Sequence, residues 1–252
     1  MTVVAVSAVG AWLFVAPFLG AAAPAGALAV VAVLAAIALL SFVEAATRRL
    51  DARRFALIAA IAAVDAALRL VLVIGVGGFS PIFFLILCAG YVYGPSFGFL
   101  AGSLSLLASA VATGGIGPWL PYQIVACGWV GVAAGVAGLR RQGTPTVRDL
   151  IALAVVGVLM GYVFGALLDV WDWTTYYRGT PGLGWQPGLT LGASLSRFGR
   201  FYLTTSLAYD TFRAVGNAIA VATLGLPVLA ALWRLRARFT VTIIDRDAAA
   251  TA

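Results

Sequence analysis

Asp210, Arg213 and Asn217 interrupt an otherwise apolar helical stretch at spacing i, i+3, i+7. In a helix that spacing puts all three side chains on one face. A charge inside a bilayer costs roughly 2.5–3.5 kcal/mol on insertion scales, so it takes a partner or faces a polar cavity. Asp65 and Arg69 repeat the theme one helical turn apart. Two chemistries fit this pattern. The residues could form two self-contained ion pairs that brace a helical bundle, since i, i+3 and i, i+4 charges neutralise each other cheaply. Alternatively, Arg69, Arg213 and Asn217 present donors to a polar solute while the aspartates orient them. Asn217 is then the best direct contact, because its amide has no evident partner in the sequence.

Other residues could complete such a site. Gln123 lies just inside the loop TGGIGPWLP (113–121), and Trp119 in that loop offers a flat apolar wall for a ring. A second loop, about 171–198, carries Trp171, Trp173, Tyr176, Tyr177 and Trp185. These aromatics suit either an interfacial belt or a lid over a solute, because a connection of that length is usually functional or disordered and aromatics oppose disorder. Asp169 and Asp172 could suggest acid–base chemistry or a cation site. Nothing near them in sequence supports either, and they read as solvated carboxylates at a helix end.

Catalytic chemistry finds no footing. Histidine is absent, which removes histidine relays, histidine-dependent serine chemistry and most zinc sites. Cys88 and Cys127 both lie in apolar segments and read as buried thiols rather than a disulfide or metal pair. No nucleophile–base pair or acidic metal motif is visible, so neither an enzyme nor a bound metal or cofactor is expected. No GxxxxGK[ST] phosphate loop occurs, so any ATP hydrolysis has to come from a partner.

The elements that hold these residues are membrane helices. Of the 252 residues, 63% are hydrophobic and only 10% charged, with mean hydropathy +1.05, which marks an integral membrane protein. Stretches of about 20 residues suited to spanning fall at 3–20, 23–43, 55–75, 121–139, 149–170 and 200–233. The segment 80–112 would be about 50 Å long as one helix, and Pro95 after Gly94 divides it into 80–93 and 95–112. Eight transmembrane helices result. From an inside N-terminus, that count puts Arg48, Arg49, Arg53, Arg54, Arg140, Arg141, Arg148, Arg234, Arg236, Arg238 and Arg246 on the inner side. Only Arg178, Arg197 and Arg200 fall outside, which satisfies the positive-inside pattern and places both termini in the cytoplasm. The first stretch lacks the basic leader of a signal peptide and is followed at once by a second span, so it reads as a membrane helix. Residues 1–50 form a two-helix extension with a charged linker, 51–238 a six-helix core, and 239–252 a cytoplasmic tail.

Residues 117–138, GPWLPYQIVACGWVGVAAGVAG, resemble the substrate-binding S component of an energy-coupling factor (ECF) vitamin transporter. SPIFFLILCAGYVYGPSFGFLAGSLSLLASAVATGG (80–115) and TSLAYDTFRAVGNAIAV (205–221) resemble the actinobacterial branch of that family, in the same order. The resemblance covers about 52–238, and the two N-terminal helices depart from the six-helix pattern. It implies a cell-membrane subunit that binds a vitamin or related micronutrient at the outer face. That subunit docks onto a membrane coupling subunit carrying two ATPase subunits and topples to deliver its solute. It also implies that small residues of the first core helix, here Ala56, Ala59, Ala60 and Ala63, contact the coupling subunit; without the resemblance, such alanines suit close helix packing within the bundle equally well. The branch points to cobalamin or another corrinoid as solute, with riboflavin or another ring-containing vitamin as the alternative. A stand-alone secondary transporter or facilitator is the competing function, although no convincing internal repeat favours it.

Topology then sets the depth of the polar residues. Arg213 falls one bilayer thickness from Trp233 and Arg234, and Arg69 lies about 9 Å from its own helix's outer end at Gly75. Both arginines gather toward the outer mouth, beneath Trp119 and the aromatic loop. The expected pocket has the trio as one wall and Asn217 as its floor.

Overall fold

In the computed structural model, which describes residues 2–19, 26–47, 51–71, 81–141 and 143–239, the chain is all-helical, with no strand among the described residues. Helix α1 (Thr2–Val15) runs into a 3-10 turn at Ala16–Leu19 and is followed by α2 (Gly26–Ala46) and α3 (Ala52–Val71). Helices α4 (Ile82–Tyr93), α5 (Pro95–Thr113) and α6 (Leu120–Gly138) form the centre. Helix α7 (Val147–Thr174), α8 (Leu191–Thr205) and α9 (Leu207–Phe239) complete the chain.

Among the described residues, five stretches are long and apolar enough to cross a membrane: Thr2–Leu19, Pro95–Thr113, Leu120–Gly138, Val147–Thr174 and Leu207–Arg238. This set fits a multi-pass membrane protein. The remaining three of the eight expected spans do not reach that standard. The described apolar part of α2 is Val31–Ala46, and α4 has 12 residues, which rise about 18 Å against a hydrocarbon core of about 30 Å. Helix α3 has 20 residues but carries Arg53, Arg54, Asp65 and Arg69.

The break inside 80–112 occurs where expected. Gly94 takes φ 95° and ψ 177°, and Pro95 opens α5. Only glycine adopts that backbone without strain, and a proline at a helix start loses no hydrogen bond. Helices α5 and α6 then pack backbone to backbone: a Cβ on Gly98 would stand 2.2 Å from the Gly131 carbonyl oxygen. Small residues are what allow that approach. Cys88 and Cys127 are buried free thiols in this centre, as their apolar setting predicts.

Two boundaries differ from expectation. The long connection at about 171–198 is partly helical, because α7 continues to Thr174 and α8 begins at Leu191. Thr190 caps α8 by accepting from the Ala193 amide at 3.3 Å. Helix α8 buries Phe201, leaves Leu195, Arg200 and Leu203 exposed, and at 15 residues is too short to span a hydrocarbon core of about 30 Å. The last span consequently starts at Leu207, after a break at Ser206, and not at 200. It runs unbroken through Pro227 to Phe239.

The N-terminal extension packs on the centre. The Phe14 ring meets Tyr122 edge-on at 5.3 Å and Trp129 at 5.6 Å, and Gly10 sits against Val125. Gly75, Arg246 and nearly all of the tail lie outside the described residues.

Candidate functional site

A stripe of small residues on α7 sets the position of the α9 trio. Gly157, Gly161 and Gly165 recur every four residues and face α9. A Cβ on Gly165 would stand 2.0 Å from each Asp210 carboxylate oxygen, one on Gly161 3.0 Å from Ala214 Cα, and one on Gly157 3.2 Å from Asn217 Cβ. The two helices are therefore close enough for α9 side chains to reach α7 carbonyls. Arg213 Nη1 donates to the Gly161 carbonyl at 3.2 Å, and Asn217 Nδ2 donates to the Gly157 carbonyl at 2.9 Å.

The polar network continues toward α8. Asp210 pairs directly with Arg213 and accepts from the Tyr202 hydroxyl at 2.9 Å. Burial, reinforced by that bond to a carboxylate, holds the Tyr202 hydroxyl above the ordinary tyrosine range, so it remains a donor. Asp169 accepts from Ser206 at 2.7 Å and is buried rather than solvated. The Arg213 guanidinium lies 5.2 Å from the Phe164 ring centroid, a cation–π distance.

The α3 residues behave differently. Among the described residues no ion pair joins Asp65 to Arg69. Arg69 Nη1 instead donates to Ser109 Oγ of α5 at 3.1 Å. Asp65 is fully buried beside Ser105 of α5, and neither of its oxygens has a hydrogen bond of normal geometry. Of the two readings, a self-contained Asp–Arg pair is therefore present on α9 and absent on α3.

Two neighbouring cavities collect most of the expected site residues. An inner chamber of about 170 Å³ is lined by Arg69, Arg213 and Gln123, with Phe83, Leu106, Phe164 and Leu168 among its walls. An outer chamber of about 340 Å³ is lined by Trp119, Gln123, Leu168, Trp171, Asp172 and Tyr176. Gln123 and Leu168 line both, which makes them the boundary between the two. Trp119 meets Trp171 edge-on at 6.2 Å, and Trp171 meets Tyr176 at 5.2 Å. Gly117 leaves room for Trp119 to fold back, since a Cβ there would stand 2.5 Å from the indole.

Three expected contacts lie elsewhere. Asn217 is buried against Gly157 and lines neither chamber, so it is not the floor. Its Oδ1 has no partner. Asp210 stands behind Arg213 rather than on the cavity wall. Trp173 faces a separate apolar groove of about 610 Å³ with Phe18, Trp185 and Phe198, and its indole donates to the Leu183 carbonyl at 2.8 Å. The aromatic loop thus divides: Trp171, Trp173 and Trp185 are buried, while Tyr176 and Tyr177 are exposed.

Asp169 and Asp172 both read as solvated in the sequence, and of the two it is Asp172 that lines a chamber. Helical spacing could have found it, because Phe164, Leu168 and Asp172 follow at i, i+4, i+8 on one face of α7. The glycines at 157, 161 and 165 carry the complementary signal, marking the adjacent face as the one that packs.

Fold and site together define an all-α membrane protein with a polar cleft under an aromatic mouth. No known family profile matches the chain, and no curated protein or solved structure does either.

Proposed function

We propose that this chain is the solute-binding and translocating membrane subunit of an ATP-driven importer of the ECF type, carrying a vitamin or related micronutrient. The observation that carries the reading is the convergence of Arg69, Arg213 and Gln123 on one chamber that adjoins a second chamber walled by Trp119, Trp171 and Tyr176. A cleft with a few convergent polar groups and apolar walls is the usual form of a small-molecule site. The residues come from α3, α6, α7 and α9 and from the turns before α6 and after α7, so movement among these elements would open or close it.

The α3 surface supports a docking partner. Ala56, Ala59, Ala60 and Ala63 are exposed, whereas Ala62 and Ala66 turn inward and are buried. A smooth outward face of small residues lets another membrane helix approach closely. The partners in this proposal are a membrane coupling subunit and two ATPase subunits, and solute release is driven by their ATP hydrolysis.

The test is co-purification of the tagged chain with such a module, followed by uptake in proteoliposomes. ATP-dependent uptake by the complex is the expected outcome. Uptake by this chain alone without ATP would establish the facilitator instead. Arg213→Leu is expected to insert normally and to lose solute binding.

A further inference from the structure

Resting on the solute-binding reading above, we infer that the solute is a small ring compound bearing one carboxylate or phosphate. Its anion lies inward between Arg69 and Arg213, and its ring lies outward against Trp119, Trp171 and Tyr176.

Charge balance supplies the first argument. Nothing acidic lines the inner chamber. Arg213 is answered from behind by Asp210, with Asp169 beyond it on α7. Arg69 has no such answer among the described residues: its one hydrogen bond goes to a neutral serine hydroxyl, and Asp65 forms no ion pair with it. A partly buried guanidinium without a counter-ion is costly in an apolar helix bundle. A ligand carboxylate or phosphate completes its charge and matches its planar fork of donors.

Polarity along the cleft supplies the second. Asp172 lines the outer chamber and repels an anion there, so the charged group goes to the inner one. Gln123, shared by both chambers, can donate to the anion side and accept from the ring side. Edge-to-face indoles and a phenol then offer the outer chamber to an aromatic or other flat ring.

Size supplies the third. Chambers of about 170 and 340 Å³ suit a compact molecule, because ligand cavities run roughly 300–1,000 Å³. A corrinoid, with its macrocycle, amide arms and nucleotide tail, would require the Trp119–Trp171 contact to open.

The test uses the full chain in lipid nanodiscs, with tryptophan fluorescence and calorimetry as readouts. Nicotinate is compared with nicotinamide, and riboflavin 5′-phosphate with riboflavin; cyanocobalamin is the bulky competitor. The charged member of at least one pair is expected to bind about tenfold or more tightly than its neutral counterpart, the range of one charge-assisted hydrogen bond. The pair that responds tells carboxylate from phosphate. Arg69→Gln should erase the preference and Arg69→Lys should retain part of it. Should Arg69→Gln fail to fold, the wild-type comparison alone decides. Equal or tighter binding of both neutral members overturns the inference, as does no binding by either charged member, or displacement of both by cyanocobalamin. No ATPase is needed here, so a chain that prefers the anion but never joins a coupling module would refute the importer reading and leave this inference standing.

Discussion

On α9, Asp210 and Arg213 close an ion pair against the glycine stripe of α7, whereas on α3 Asp65 and Arg69, spaced one residue wider, make none. Both spacings permit a pair on an isolated helix. The opposing helix decides between them. Gly165 leaves a notch that admits the Asp210 carboxylate, and Gly161 brings a carbonyl within reach of Arg213. Facing α3 are Ser105 and Ser109 of α5, and Ser109 takes the Arg69 donor. One pair is thereby spent on holding two helices together, and the other leaves a cation at the cavity wall.

The largest predicted effect follows from stripping the closed pair. Asp210→Ala leaves the largely buried Arg213 without its counter-charge, and loss of one partner costs up to about 3–5 kcal/mol where a pair is fully buried. Thermal or denaturant unfolding in detergent should show it, and the double variant Asp210→Ala/Arg213→Leu should recover part of the loss. An Asp65→Ala variant that loses as much stability would break the contrast between the two helices.

Gly165→Ala attacks the same brace from α7. Its Cβ would stand 2.0 Å from both Asp210 oxygens, so the carboxylate or the helix has to move. Overpacking of this kind costs about 1–3 kcal/mol. The expected result is a lower unfolding midpoint with weakened solute affinity, because Arg213 moves with its partner. A midpoint unchanged from wild type would mean that α7 and α9 yield easily here, and the glycine stripe would no longer explain the closed pair.

How far the sequence revealed this arrangement can be judged residue by residue. The break at Gly94–Pro95 was legible because it depends on local backbone chemistry alone. That Arg69, Arg213 and Gln123 gather at one cavity was legible because a polar group in an apolar helix has few reasons to exist. The state of each Asp–Arg pair was not, since it depends on which helix lies opposite. Helix α8 was hidden for another reason: its apolar residues are interleaved with serine, arginine and threonine, and its last residues run into the next apolar stretch with only Ser206 between them. Asn217 shows the limit most clearly. An unpaired amide in sequence pointed to a ligand, yet a carbonyl 60 residues away takes its donor.

That reassignment yields the third prediction. Asn217→Leu removes a bond that ties α9 to α7, while the Gly157 carbonyl keeps its amide partner within α7, and should cost about 0.5–1.5 kcal/mol of stability, the usual net contribution of one hydrogen bond. Solute affinity, measured as for Arg69→Gln, should stay at the wild-type value. Loss of binding with unchanged stability would return Asn217 to the cavity wall.

The smallest effect belongs to Asp65→Asn. The carboxylate has no ion pair to lose and only a contact with Ser105 that falls short of normal hydrogen-bond geometry, and asparagine has nearly the same shape. Its amide adds two donors, and Ser105 Oγ, buried and equally without a partner, stands beside it as an acceptor. The change in unfolding free energy should therefore remain within about 1 kcal/mol, near the range of substitutions that break no buried network. The Arg69–Ser109 bond, made by a different residue pair, should survive it, and with it the preference for an anionic solute. If Asp65→Asn instead abolished that preference, Asp65 would be fixing Arg69 through the serines of α5. The two Asp–Arg motifs would then act alike, one through direct contact and the other through an intermediary helix.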